Sequence, residues 1–324
     1  MDRRWAFAAL ALSTASAAAA PVAAPLLREI RWIAADTPRA ELVRVLTAQP
    51  AECLAPPADA ASADQVAVGR AMFAAPLLLG GQAARAGLSC AACHVSGRGN
   101  PHFVFPGVSG APGTADVTSS LFSTRRGDGI ANPRPIPDLA ADPPKISRDP
   151  ASPALRTFIR GLIVEEFDGL EPPPRILDGL AAYVRALRSD CSALAQRTSE
   201  GELGDAAAAV LAARTALGEG DAAAARLLLS AARSALGRID ERFAGRPAIA
   251  RLLARRDGEL RRLQADLAGG KSASAALTRW TKDTTRDAAA LRAAEPGSLY
   301  APASLERALV AAGGEAAANE PSTG

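Results

Sequence analysis

Cys90-Ala91-Ala92-Cys93-His94 is the one segment whose residue types and spacing specify a chemistry outright. Two thiols three residues apart can each add to a vinyl group of one haem. The histidine that follows directly can then reach the iron from the same side of the macrocycle. The same two cysteines could otherwise form a dithiol redox pair or half of a zinc site. A zinc site needs further Cys or His ligands in a compatible cluster. The chain offers only two more cysteines, Cys53 and Cys191, and one more histidine, His102. A thioredoxin-like pair calls for a βαβ setting, which the pattern around residue 90 lacks. The segment therefore predicts one covalently bound haem c, attached at Cys90 and Cys93 with His94 on the iron.

The opposite face of the iron is the next question, because two strong axial ligands suit electron transfer and an open position suits peroxide or gas chemistry. No methionine follows Met72, so His102 is the candidate sixth ligand. Gly97, Gly99 and Pro101 keep the intervening chain out of a helix that would hold both imidazoles on one side. His102 can equally line the pocket or bind a propionate, and Met72 falls on the apolar side of its expected helix and reads as core. Arg125 and Arg126 lie in a glycine- and serine-rich stretch. They are candidates for charge-assisted hydrogen bonds to haem propionates, with an ordinary solvated turn as the alternative. Cys53 and Cys191 remain as a pair, and export would permit a disulfide between them.

These residues need elements to hold them. The 324 residues suffice for two ordinary domains. Alanine supplies much of the apolar content and aromatics are few, which predicts alanine- and leucine-packed helices over a β-sandwich. Thr37-Pro38 and Ser152-Pro153 each pair a capping residue with proline at a helix start. Leu155, Phe158, Ile159, Leu162 and Ile163 recur at helical spacing, as do Ile176, Leu177, Leu180, Tyr183, Val184 and Leu187. A further helix is expected from residue 62 or 64 to about 73. Residues 97–153 are dense in glycine and proline yet carry Phe103, Phe105, Phe122, Ile130 and Ile136. Disordered linkers are poor in such residues, so this stretch is expected to be an ordered loop wrapped over a ligand.

Gly69-Arg70-Ala71-Met72-Phe73, followed by Leu88-Ser89-Cys90-Ala91-Ala92-Cys93-His94, resembles the first haem-binding segment of bacterial di-haem cytochrome c peroxidases and of the related methylamine-utilisation maturation enzymes. The segment 178–187 resembles the C-terminal helix common to cytochrome c domains. The likeness covers roughly residues 62–190. It implies a cytochrome c-like haem domain that belongs to a redox protein. Those peroxidases use two haems, whereas this chain has a single attachment motif.

The expected fold is all-α: a cytochrome c-like haem domain with long irregular haem-wrapping loops, followed by a C-terminal helical bundle. Expected boundaries are a signal peptide at 1–20, the haem domain at 21–194, a helical bundle of unknown role at 195–312, and a polar tail at 313–324. Asp2, Arg3 and Arg4, then an apolar run and an alanine–serine tract, have the layout of an export signal. The apolar part is short of the roughly 20 residues that span a bilayer. A periplasmic protein with no stable membrane span in its mature chain is the expectation. Arg outnumbers Lys 34 to 3 but alternates with Asp and Glu along helical stretches. That reads as a solvated face and argues against nucleic-acid binding. Three functions fit: an electron-transfer cytochrome working with a redox partner protein, a cytochrome c peroxidase-like oxidoreductase, or a haem-containing subunit that docks its partner through the C-terminal helices.

Overall fold

The computed structural model describes residues 27–190 and 193–318. The expected signal peptide and Cys191 lie outside the described residues. Helix accounts for 59% of the chain and strand for 5%, with long helices bundled towards the C-terminus. No helix among the described residues is long and apolar enough to cross a membrane.

A 3₁₀ turn at Arg28–Trp32 leads to α1 (Arg39–Thr47) and to the short strand β1 (Ala48–Pro50). Helix α2 (Ala60–Phe73) starts earlier than its apolar pattern indicates, because Asp59 and Ser62 form a reciprocal capping box ahead of it. Two short helices follow, α3 (Gly81–Ala86) and α4 (Cys90–Cys93). The stretch 97–153 is ordered with little regular structure. Its only ladder pairs β2 (Thr114–Ala115) with β3 (Arg134–Pro135). Buried Phe103, Val108 and Phe122 pin it down. The Phe122 ring lies 5.2 Å from Phe105 and 5.5 Å from Phe167.

Helix α5 (Ala154–Gly161) runs into a π-helical turn at Leu162–Glu166, and α6 (Pro174–Ala186) follows. Helices α2 and α6 cross at two glycines. A Cβ on Gly69 would overlap the carbonyl oxygen of Gly179, and one on Gly179 would come within 2.6 Å of Val68 Cγ1. Lacking side chains, the two backbones touch.

Strand β4 (Leu194–Gln196) pairs antiparallel with β1, so the boundary expected at 194/195 falls inside a strand. Helices α7 (Ser199–Gly218), α8 (Ala222–Arg242), α9 (Pro247–Ala268) and α10 (Ser274–Ala294) form the bundle, and α11 (Pro302–Ala318) packs back on α1. This last helix runs through part of the expected polar tail. The bundle packs against the helices that precede it. Helix α2 packs on α7 and α8, and one hydrophobic core runs from Val68 through Leu228 to Tyr300. Ion pairs cross the same junction, joining Arg70 to Asp205 and Arg28 to Glu241.

Glu29 belongs to that junction. Arg197 grips it through both terminal nitrogens at 2.6 and 2.7 Å, and Arg242 adds a bond at 3.2 Å. Burial alone would raise the Glu29 pKa, but Arg197 and Arg242 more than offset it and hold the group at about 2. A carboxylate depressed on folding contributes stability that is complete above its unfolded value and lost as the pH falls towards 2. Urea unfolding should therefore show stability declining below about pH 4.5. Because the side chain is partly solvent-exposed, the loss should be at most on the order of 3 kcal/mol. Glu29→Gln should flatten that acid limb.

Candidate functional site

Helix α4 is a single turn. It is closed by hydrogen bonds from Ala92 N to Ser89 O at 3.0 Å and from His94 N to Cys90 O at 2.8 Å. One turn sets Cys90 and Cys93 on the same side. Both are free thiols. Protein atoms crowd them on most sides while part of their surface stays open, so they are half-buried. Burial pushes Cys90 up to about 11. Burial, with Cys90 adding to it, pushes Cys93 up to about 12. Dithiol redox pairs work through a depressed thiolate, and these thiols are the reverse: neutral, unbridged and shielded.

The chain reverses directly after His94. Ser96 and Gly97 take left-handed conformations, with φ of 52° and 75°. Gly97 presses so near Leu187 that a Cβ would lie 2.6 Å from its methyl groups. The reversal brings in the segment 136–139. Leu139 N donates to Gly97 O at 3.0 Å, and Arg98 pairs with Asp138 at 2.7 Å. Between these two ties, His94 Nδ1 donates to the carbonyl of Pro137 at 3.0 Å. That bond fixes the tautomer, leaving the lone pair on Nε2 for a metal. Burial holds the His94 pKa down at about 4, against smaller opposing effects of Pro137 and Asp138. The imidazole is thus neutral at physiological pH, as a metal ligand must be.

The crossing of α2 and α6 supports the ring from behind. Phe73 lies 6.3 Å from His94, tilted by 48°, and 5.0 Å from Tyr183. The Tyr183 hydroxyl donates to Glu52 at 2.7 Å. Half-buried Ile136 and Leu139 flank the partner segment of His94. Two unbridged thiols on one helical turn, an oriented neutral imidazole and apolar neighbours are a donor set that fits a covalently held haem.

The other expected site residues are placed differently. His102 Nε2 lies 3.2 Å from Glu41 Oε1 on α1, and the ring lines a cleft behind α4 whose wall includes Ala91 and Ala92. Cys90, Cys93 and His94 are not among the residues lining that cleft. Met72 is 1% exposed, inside the core. Arg126 reaches Glu165 from Nε at 3.0 Å, and the backbone nitrogens of Arg125 and Arg126 are held by Ser123 Oγ at 3.1 and 2.7 Å. Both arginines are exposed, and Arg126 is already occupied by a carboxylate.

Cys53 is disulfide-bonded. Its expected partner, Cys191, lies outside the described residues. The backbone on either side of 191 runs beside Cys53, with Arg188 N donating to Cys53 O at 3.0 Å and Ala51 N to Ala193 O at 2.8 Å. With haem attached, the denatured and unreduced protein should expose no reactive thiol. Two reactive thiols would refute the Cys53–Cys191 pairing.

The sequence carried no local sign of Pro137 or of Glu41. Each is an ordinary residue made relevant only by a chain reversal or a helix packed from afar. No family model, curated protein or solved structure matches this chain.

Proposed function

We propose that this chain is an exported c-type cytochrome that holds one haem through Cys90 and Cys93, presents His94 Nε2 to the iron, and passes single electrons to and from a redox partner protein. The observation that carries this reading is the His94 Nδ1–Pro137 bond beside two unbridged, neutral thiols one helical turn apart. A haem bound there supplies one-electron cycling between ferric and ferrous iron. The chain's own residues do the positioning. Pro137 sets the tautomer, Phe73 supports the ring from behind, and the Arg98–Asp138 pair holds the loop that carries Pro137. The single attachment motif favours a carrier, since it provides no second haem to deliver another electron.

A second reading, a peroxidase-like oxidoreductase, draws support from the surroundings of the two ligand candidates. Met72 is packed in the core and His102 faces Glu41. On this reading neither would compete with a small molecule for the iron. His102→Ala should therefore leave the visible spectrum and the spin state unchanged. A low-spin to high-spin conversion in that variant would restore His102 as the sixth ligand. Redox titration should give a reversible one-electron wave, and hydrogen peroxide should support no turnover above that of the heat-denatured protein. Sustained turnover would favour the second reading.

The third reading, a subunit that docks its partner through the C-terminal helices, gains little. The apolar faces of α7 and α8 are spent on α2 and on each other, and Leu211 and Val310 are the exposed large hydrophobics of the bundle region.

A further inference from the structure

The haem reading gives no role to the outward face of α9 and α10. Between Pro247 and Ala294 the chain carries ten basic and five acidic residues, a net charge of +5. The whole chain carries only +3, so everything outside this hairpin is net negative. The excess positive charge is concentrated on two adjacent helices.

The hairpin also sorts its charges by face. On α9, Arg251, Arg255 and Arg262 recur with Ala254, Gly258 and Ala265 at spacings of three and four, which makes one stripe. Buried Leu253, Leu260 and Leu267 lie opposite it. On α10, Arg279, Lys282 and Arg286 make a second stripe, opposite buried Leu277 and Leu291. All six basic side chains are exposed. Most acids of the hairpin are engaged elsewhere. Asp257 holds Arg233 at 2.6 Å and Arg261 at 3.0 Å, and Asp266 takes Lys271 at 3.1 Å. Glu259 and Asp287 each meet buried Arg256 at 2.9 Å. Asp283 alone stays exposed beside the stripes, 4.0 Å from Arg256. Arg255 lies 3.9 Å from Asp287, the residue after Arg286, so the two stripes run side by side. The other five cations pair with no carboxylate among the described residues.

Small residues between the cations leave no large apolar side chain to insert and no ring on which a base could stack. Each helix is about 30 Å long. A broad, flat, anionic surface complements such a face. Its place in the fold agrees. Helix α2 packs on α7 and α8, and α10 and α9 lie against these two from the other side. The face therefore points away from α2 and the His94 site.

We propose that α9 and α10 seat the protein on an anionic phospholipid bilayer, held by electrostatic contact and without insertion. The assignment stands apart from the haem reading and draws only on the expected export, which puts a membrane within reach. Seated this way, the protein keeps the Cys90–Cys93 turn turned away from the lipid and open to a redox partner.

The test is sedimentation of the matured protein with vesicles of phosphatidylglycerol and phosphatidylcholine in equal parts, beside vesicles of phosphatidylcholine alone. Binding to the anionic vesicles only is expected at about 0.1 M salt. Release is expected at about 1 M, where the screening length falls from about 10 Å to about 3 Å. Each basic residue near an anionic surface strengthens binding about fivefold. The triple variant Arg279→Gln, Lys282→Gln, Arg286→Gln should therefore bind about a hundredfold more weakly, and the double variant Arg251→Gln, Arg262→Gln about twentyfold. One variant alters each helix, so a folding defect in one leaves the other informative. Arg31, Arg39 and Arg85 are exposed elsewhere. Changing all three to Gln removes the same charge as the triple variant and should weaken binding by about twofold at most. Absence of binding, equal binding to both vesicle types, or binding that survives high salt would each overturn the proposal. So would undiminished binding by a folded hairpin variant, or an equal loss in the control. Tighter binding to duplex DNA at matched phosphate concentration would overturn it as well and assign the face to nucleic acid.

Discussion

The double variant Cys90→Ala, Cys93→Ala is expected to lose all haem on denaturing electrophoresis, the largest functional effect available in this chain. On the proposed reading each thiol would form one thioether, so a single substitution should leave one bond and a partial haem stain. His94→Ala should behave differently. It leaves both thiols in place, so haem remains attached while the iron loses its histidine and the spectrum changes. Separating attachment from coordination in this way matches the geometry: the thiols sit on α4, whereas the imidazole is held by Pro137 on a distant loop. Pro137 contributes only its carbonyl, so side-chain substitutions there should act through the loop's conformation and be milder than His94→Ala.

Gly69→Ala is expected to destabilise the protein by about 2–3 kcal/mol, read by urea unfolding. Alanine is worth roughly 1 kcal/mol more than glycine within a helix, and that gain is overridden. The new Cβ would overlap a backbone carbonyl, that of Gly179, which no rotamer change can relieve. Gly179→Ala should be destabilising too, because its Cβ would meet Cγ1 of the fully buried, β-branched Val68 at 2.6 Å and two backbone atoms, Gln65 O and Gly69 N, at 3.0 Å. Since Phe73 and Tyr183 lie on the same two helices, Gly69→Ala should also disturb the support of His94. A stable Gly69→Ala variant with an unaltered spectrum would mean that the α2–α6 crossing does not position the site.

Much of this architecture was legible along the chain. The periodic apolar residues of α6 and the proline at its start placed that helix to within a residue or two, because local preference and burial agree there. The start of α7 is not legible in the sequence. Ser199-Glu200-Gly201-Glu202 looks like a loop, but Thr198 caps the helix through Gly201 N, and buried Leu203 and Ala206 draw that turn against the core. The π-helical turn at Leu162–Glu166 has no sequence sign, since its spacing differs from an α-helix by a fraction of a turn. Phe103 and Phe122 correctly marked the long loop as ordered. What a single sequence could not supply was direction. His102 and Arg126 were sound candidates by residue type, yet each turns to a carboxylate, Glu41 or Glu165, that lies far away in the chain. The turn at Cys90–Cys93 was legible because its geometry is local: spacing alone puts two thiols on one side with an imidazole next to them.

The most direct test is the mass of a single peptide. Trypsin cleaves after Arg85 and Arg98, releasing residues 86–98 with Cys90, Cys93 and His94. From the exported, matured protein this peptide should carry the mass of one haem and no alkylatable thiol, and no other peptide should carry haem. Recovery of residues 86–98 unmodified, with two alkylatable cysteines, from protein matured in a host that assembles c-type cytochromes would contradict the account.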